Sequence, residues 1–193
     1  HSSRKLMDSI VKAFQEVRRA DFLPPDVQEL ASLDTALPIG QSQTNSQPTV
    51  VAFMLEKLGA REGEKVLDVG AGSGWTTALL SHIVGPKGRV VGIELLQELA
   101  ECAKKNLAQM KNALFLCADG SKGYSFQAPY DRILVSAALN KKELPKAWKE
   151  QLKDGGNVVV PIQNSIWVFT KKGNEWEETE YKGFVFVPFI KSP

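Results

Sequence analysis

The chain has 193 residues, 24 basic and 22 acidic, for a formal charge of +2, and 43% of it is hydrophobic. That composition excludes collagenous, disordered and disulfide-dense chains, and the near-neutral balance gives no electrostatic case for nucleic acid or an anionic membrane. One domain is expected at this length, burying about 70% of the unfolded chain's surface, enough for a core without covalent staples.

The opening His1-Ser2-Ser3 carries no initiator Met and stays outside the fold reading. Residues 4–20 predict an amphipathic helix, because Leu6, Ile10, Ala13, Phe14 and Val17 recur at three- and four-residue steps. Arg18 and Arg19 fall near its C-terminal end, where cations suit the macrodipole. Phe22-Leu23-Pro24-Pro25 then stops it, since proline cannot continue a helix. Residues 26–47 are polar and lack a period, which predicts a long loop. Pro48 suits a helix start, and Val51, Leu55 and Leu58 share a face of a helix over Thr49–Leu58.

From residue 64 short apolar runs alternate with helical stretches. Strands are predicted at 65–69, 89–94, 113–117 and 131–137, with helices at 75–84, 96–110 and 144–152. Gly155-Gly156 should break the last helix, and strands at 157–161, 166–170 and 183–188 should finish the chain. The fold class is therefore α/β: a Rossmann-like doubly wound sheet in three layers, mostly parallel with an antiparallel C-terminal strand. Cys102 shares a helical face with Leu95 and Leu99 and is expected in the core, while Cys117 ends a strand and is expected to be buried. Two cysteines, no apolar run of about 18 residues and no basic-then-apolar leader point to a cytoplasmic protein outside the membrane. His82 and His1 are the only histidines, too few for a metal site, so no metal is expected.

The most informative segment is Val66-Leu67-Asp68-Val69-Gly70-Ala71-Gly72-Ser73-Gly74-Trp75, an apolar strand entering Gly-x-Gly-x-Gly and then a helix. Glycines permit the tight turn and a close ligand approach, and the helix start behind them offers free N–H groups. A glycine-rich turn without a ligand is the plainer reading. Glu94, 24 residues after Gly70 and followed by Leu95, ends the second strand, where a carboxylate can accept both hydroxyls of a ribose. It could also be a solvated strand-end acid. Asp119-Gly120 ends the third strand and is by itself a turn signal. Three such strand ends lie together at the carboxyl edge of an open α/β sheet, where ligands sit.

The glycine loop with Asp68 two residues ahead resembles the first motif of class I S-adenosylmethionine-dependent methyltransferases. Leu37-Pro38-Ile39-Gly40-Gln41-Ser42-Gln43-Thr44-Asn45-Ser46-Gln47-Pro48 resembles the substrate loop of the protein-L-isoaspartate (D-aspartate) O-methyltransferase family. The Val11–Pro24 stretch, Pro129-Tyr130-Asp131-Arg132-Ile133, Gln151-Leu152 with Gly155-Gly156, and Phe186-Val187-Pro188-Phe189 resemble that family in the same order. Ser42 stands where the family usually has glycine, Asn45 where an apolar residue is common, and Leu139–Glu143 is more basic than usual.

The resemblance implies a single methyltransferase domain over 1–193, with the N-terminal helix and substrate loop in 1–62, the cofactor core in 63–162 and C-terminal strands in 163–193. It implies methyl transfer from S-adenosylmethionine, leaving S-adenosylhomocysteine, to the free carboxylate of L-isoaspartyl residues in damaged proteins. Ester cyclisation to a succinimide would follow. Thr44, Asp68, Gly70, Ala71, Gly72, Ser73, Gly74, Glu94, Leu95, Asp119 and Gly120 would then hold the cofactor, with Asp119 at the adenine edge. Ser46 would position the carboxylate through its hydroxyl, although serine there could equally cap the following helix. Ile39, Gly40, Gln43 and the backbone N–H groups of Ser136, Ala137 and Ala138 would bind substrate main chain. The implied partners are isoaspartyl peptides, with no nucleic acid, no membrane and a monomeric chain. Two other readings stand beside this one: a methyltransferase of the same fold acting on RNA or a small metabolite, and a cofactor-binding module with weak activity.

Overall fold

The computed structural model describes residues 3–193. Its frame is a seven-stranded sheet in the order β5-β4-β3-β6-β7-β8-β9. The strands are β3 (Lys65–Val69), β4 (Arg89–Glu94), β5 (Ala113–Cys117), β6 (Tyr130–Val135), β7 (Leu152–Ile162), β8 (Ser165–Lys172) and β9 (Glu175–Lys182). Pairing is parallel from β5 to β7 and antiparallel from β7 to β9. Chain order reverses between β3 and β6, which opens a crevice at their carboxyl ends.

One face is covered by α1 (Ser3–Glu16), α2 (Pro48–Leu58), α3 (Trp75–Val84) and α4 (Gln97–Asn106). Val66, Val90 and Leu134 point into that layer from alternate strand positions. Leu67, Val69, Val91, Ile93, Ile133 and Val135 take the other face, packed against Trp148 of α5 (Lys146–Gln151) and the C-terminal segment. Each fully buried aliphatic side chain contributes about 1.5–3 kcal/mol relative to exposure. None of the helices is long and apolar enough to cross a membrane, among the described residues.

The structure places the strands at 65–69, 89–94 and 113–117 and the helix at 75–84 on the expected residues. Elsewhere it corrects the expectation. The first helix ends at Glu16 and not at residue 20; Arg18 is extended, and a 3-10 turn follows over Arg19–Phe22. The helix expected over 96–110 is confined to Gln97–Asn106, and the one over 144–152 to Lys146–Gln151, with Pro145 fixing its start. The 26–47 stretch holds a 3-10 turn, Pro25–Leu30, and an antiparallel hairpin of β1 (Leu37–Gly40) and β2 (Gln43–Asn45). Its strands are too short, and β2 too polar, to leave an apolar alternation. Gly155-Gly156 lies inside β7, where Tyr130 and Arg132 of β6 pair with Leu152 and Asn157 and the intervening residues bulge. The last strand is Glu175–Lys182, so charged that its apolar pattern vanishes, as suits an exposed sheet edge. Residues 183–188 form an extended strap touching the sheet at an isolated bridge, Ala138 to Pro188.

Both cysteines are exposed. The buried stripe of α4 runs through Leu99, Ala100, Ala103 and Leu107, and at 3.6 residues per turn Cys102 points roughly 115° from its centre. Cys117 ends β5, an edge strand.

Gln41 and Ser42 join β1 to β2 with φ of 54° and 58°. A two-residue connection with both φ positive is the turn that normally demands Asn-Gly, and serine is strained there. Ser42→Gly is expected to stabilise the hairpin by about 0.5–1 kcal/mol, after the extra unfolded-state freedom of glycine is counted. Slower amide exchange over residues 37–46 in that variant, with the core unchanged, is the check.

Candidate functional site

The crevice begins with the glycine loop between β3 and α3. Gly70, Gly72 and Gly74 have φ of 69°, 55° and 94°, so each holds a backbone state that other residues resist. A Cβ on Gly72 would lie 2.9 Å from Ile39 Cδ1, which shows how closely the β1–β2 hairpin closes over the loop. The free loop amides expected from sequence are largely used inside the protein. Gly70 and Ala71 N–H donate to the Ile93 carbonyl, Gly74 N–H to the Ala71 carbonyl, and Gly72 N–H to Glu94.

Glu94 ends β4 and is 7% exposed. Its Oε1 accepts from Gly72 N–H at 2.9 Å and its Oε2 from Leu96 N–H at 3.0 Å. A carboxylate has about four acceptor sites, so each oxygen keeps capacity for a further donor. Two narrow, adjoining clefts share Gln43, Gly70 and Glu94. The first is lined by Ile39, Thr44, Asn45, Ser46, Ala71, Gly72, Ser73 and Ser136, with Trp75, Thr76 and Val187. The second is lined by Leu95, Gly120 and Ala137, with Val69, Ile93, Pro188, Phe189 and Ile190. A Cβ on Gly120 would come within 2.5 Å of Val69 Cγ1, so only glycine fits at that floor, and Trp148 Nε1–H holds its carbonyl at 2.8 Å.

Ser46 follows β2 and is half-buried at the first cleft. It does not cap α2. Asp34 does that work: its carboxylate accepts from Thr49 N–H, Thr49 Oγ1–H and Gln47 Nε2–H, and these bonds hold its pKa below the usual value. The Ser46 hydroxyl makes no hydrogen bond within the described residues, and Ser46 lines the first cleft.

Asn45 is 5% exposed and its Oδ1 accepts from Arg19 Nε–H at 2.6 Å. This explains a polar residue where an apolar one is common. Arg19 does not serve a helix end as expected from sequence; it is 7% exposed and drawn under the hairpin, with its guanidinium 5.3 Å from the Trp75 ring centre. The hairpin tip is held separately, by Gln41 Nε2–H donating to Glu98 at the start of α4. Leu23, Val27, Leu37, Ile39 and Leu99 form an apolar cluster beneath it.

Several expected contacts lie elsewhere. Asp68 is wholly buried and lines neither cleft; its Oδ2 accepts from Thr76 and Thr77 hydroxyls at 2.7 Å, and its Oδ1 has no partner among the described residues. Asp119 caps the short turn after β5: Oδ1 accepts from Ser121, and Oδ2 from Ser192 N–H and Oγ–H, which ties down the chain's end. Gly74 packs on Leu107 and Ala103 of the helical layer, and Gly40 shapes the hairpin. The Ser73 hydroxyl donates to the Phe22 carbonyl. Two amides expected to bind substrate are already spent, Ser136 N–H on the Val69 carbonyl and Ala138 N–H on the Val187 carbonyl. Ala138 lines an outer groove instead. The strap residues 187–190 and Trp75 were not foreseen as lining; the only signal was apolar side chains in a stretch that otherwise reads as a strand.

Burial raises the Asp68 pKa to about 6, outweighing the two threonine hydroxyls, and the Glu94 charge adds to the rise. The native state then keeps a proton between about pH 4 and 6 that the unfolded chain releases, so this group's contribution to stability falls as pH rises through that window. Above it the buried charge costs roughly 3 kcal/mol. Asp68→Asn is expected to flatten the urea-unfolding free energy between pH 4 and 6 and to raise stability at pH 7. Parallel profiles for the two proteins would refute the assignment.

The residues fit an adenosyl-type cofactor: a buried strand-end carboxylate with spare acceptor sites, a turn with glycine at every other position, and two adjoining clefts on either side of that carboxylate. Residues 2–192 match the family model described as protein-L-isoaspartate(D-aspartate) O-methyltransferase. The chain is 41% identical over 189 residues to the protein-L-isoaspartate O-methyltransferase of Methanopyrus kandleri, covering 94% of this chain and 83% of that one. It is 45% identical over 159 residues to protein-L-isoaspartate O-methyltransferase 1 of Archaeoglobus fulgidus, covering 81% and 73%. A solved protein-L-isoaspartate O-methyltransferase superposes with a TM-score of 0.86 at 32% identity, over 97% of this chain and 65% of that one. A Plasmodium falciparum structure in complex with S-adenosyl-L-homocysteine has a TM-score of 0.82 at 22% identity, over 96% and 91%, a likeness of fold.

Proposed function

This chain belongs to the protein-L-isoaspartate(D-aspartate) O-methyltransferase family, and on that premise we propose that its two-lobed cleft moves a methyl group from S-adenosylmethionine to the free carboxylate of an L-isoaspartyl residue. The observation that carries the site assignment is the Ser46 hydroxyl, uncommitted to the fold, on the hairpin that closes against the glycine loop. When bound, the cofactor supplies a methyl carbon made electrophilic by a sulfonium.

The chain's own work is positioning. A substrate carboxylate is already an anion near pH 7, since its ordinary pKa lies near 4, so no general base is needed. An oxygen lone pair forms the new C–O bond, the C–S bond breaks, and its electron pair returns to sulfur. The Ser46 hydroxyl donates to the carboxylate and fixes its approach; in-line proximity of this kind can account for several kcal/mol of barrier. The hairpin and the strap exclude water from two sides, and the Ser46 hydrogen bond replaces part of the hydration that the anion gives up. Glu94 holds the ribose hydroxyls, Gly70–Gly74 and Thr44 flank the amino-acid part, and Leu95, Gly120 and the strap wall the adenine lobe, with Asp119 shaping Gly120 from behind. Asp68 ties the end of β3 to the first turn of α3 through Thr76 and Thr77. Gln43 and Ile39 line the first cleft with Ser46 and would meet the peptide main chain, Ala137 lines the second cleft, and the partner is an isoaspartyl protein or peptide met by a single copy of this chain.

The test is transfer of radiolabelled methyl to an L-isoaspartyl peptide beside its normal-aspartyl twin. Label on the first alone is expected. Equal label on both, or label on RNA or small metabolites instead, would overturn the reading.

A further inference from the structure

We propose that Arg19 and Asn45 form a positioning pair that sets where the Ser46 hydroxyl stands in the cleft, an inference that rests on the function proposed above. The five N–H groups of Arg19 meet six acceptors. Nε donates to Asn45 Oδ1 at 2.6 Å, and Nη1 to the Ala31 and Leu33 carbonyls at 3.2 and 2.9 Å. Nη2 reaches the carbonyls of Thr35, Asn45 and Ser46 at 2.7, 3.4 and 3.2 Å. The guanidinium thus grips the chain as it enters the hairpin and again as it leaves, at the very residue whose hydroxyl enters the cleft.

The hairpin cannot fix that register by itself. Its strands have four and three residues, and its ladder is irregular between Pro38 and Gly40. A short ladder with polar strands specifies register weakly. No carboxylate lies within ion-pair distance of Arg19 among the described residues; Asp34, farther off, favours its charge, and carbonyl dipoles and the Trp75 ring surround it. Trp75 opens α3 directly behind the glycine loop and lines the same cleft as Ser46. One buried cation therefore references the hairpin to the cofactor side. Among the described residues Asn45 is its only side-chain acceptor, and it precedes Ser46 in sequence.

The test uses the full chain with Asn45→Leu and Asn45→Asp, reading kcat and peptide KM separately, S-adenosylhomocysteine affinity by calorimetry, and amide exchange over residues 31–46. Asn45→Leu is expected to lower kcat on the order of tenfold, since small misplacements are costly in a displacement, with peptide KM and S-adenosylhomocysteine affinity within about twofold. Exchange over residues 31–46 should quicken while the sheet is unchanged. Asn45→Asp keeps the acceptor and is expected to restore most of kcat and the slow exchange. Unchanged kcat in Asn45→Leu, an equal loss of cofactor affinity, or an aspartate variant as slow as the leucine one would overturn the pair. If the wild-type chain labels no isoaspartyl peptide, the proposed function falls; the exchange contrast between the two variants still decides whether the pair anchors the hairpin.

Discussion

Glu94→Ala is expected to weaken S-adenosylhomocysteine binding by roughly two to three orders of magnitude, about 3–4 kcal/mol, because charge-assisted hydrogen bonds are worth about 1.5–3 kcal/mol each and two ribose hydroxyls lose their acceptor. The variant also strips Gly72 and Leu96 N–H of a partner, which loosens the loop that floors the first lobe. Glu94→Gln keeps the shape and one acceptor oxygen, so its loss should be intermediate. Calorimetric titration gives both affinities. An unaltered affinity in Glu94→Ala would remove the ribose from this position.

Ser46→Ala is the second large effect, and it should divide differently. Turnover on an isoaspartyl peptide is expected to fall about 10- to 100-fold, the value of one hydroxyl donor to an anion. Cofactor affinity and thermal stability should stay at wild-type values, because the hydroxyl caps nothing and Asp34 secures the helix beside it. Steady-state kinetics and calorimetry on the same preparation separate these. A matching loss of cofactor affinity would place Ser46 in the wrong lobe.

The core of this fold is legible because its strands are buried on both faces. Val66-Leu67, Val90-Val91 and Ile133-Leu134 form apolar runs with no competing reading, and Pro48 and the glycines mark where helices begin and turns must bend. The parts that make the cleft specific are less so. The hairpin from 37 to 45 is held by a guanidinium 18 residues upstream of its start, a bond that no local period encodes. Asp119 has the composition of a ligand and the bonds of a cap. Residues 183–188 have the apolar alternation of a strand and pack on the core without a paired strand along most of their length, while the charged 175–182 stretch finds one in β8. The family resemblance points to Ser46 and the strand end to Glu94; which residues hold Ser46 in place is legible only in the three-dimensional contacts.

Regular sheet pairing ends at Lys182, whereas the lining of the second cleft runs on to Ile190. Sheet register and the cleft's lining therefore reside on different stretches of one polypeptide. A single proteolytic nick near Val185, which is 89% exposed, would leave every strand pairing in place and yet loosen one side of the second cleft, together with the Phe186 and Phe189 rings that pack on the core. Damage there would reach the cleft before it reached the sheet.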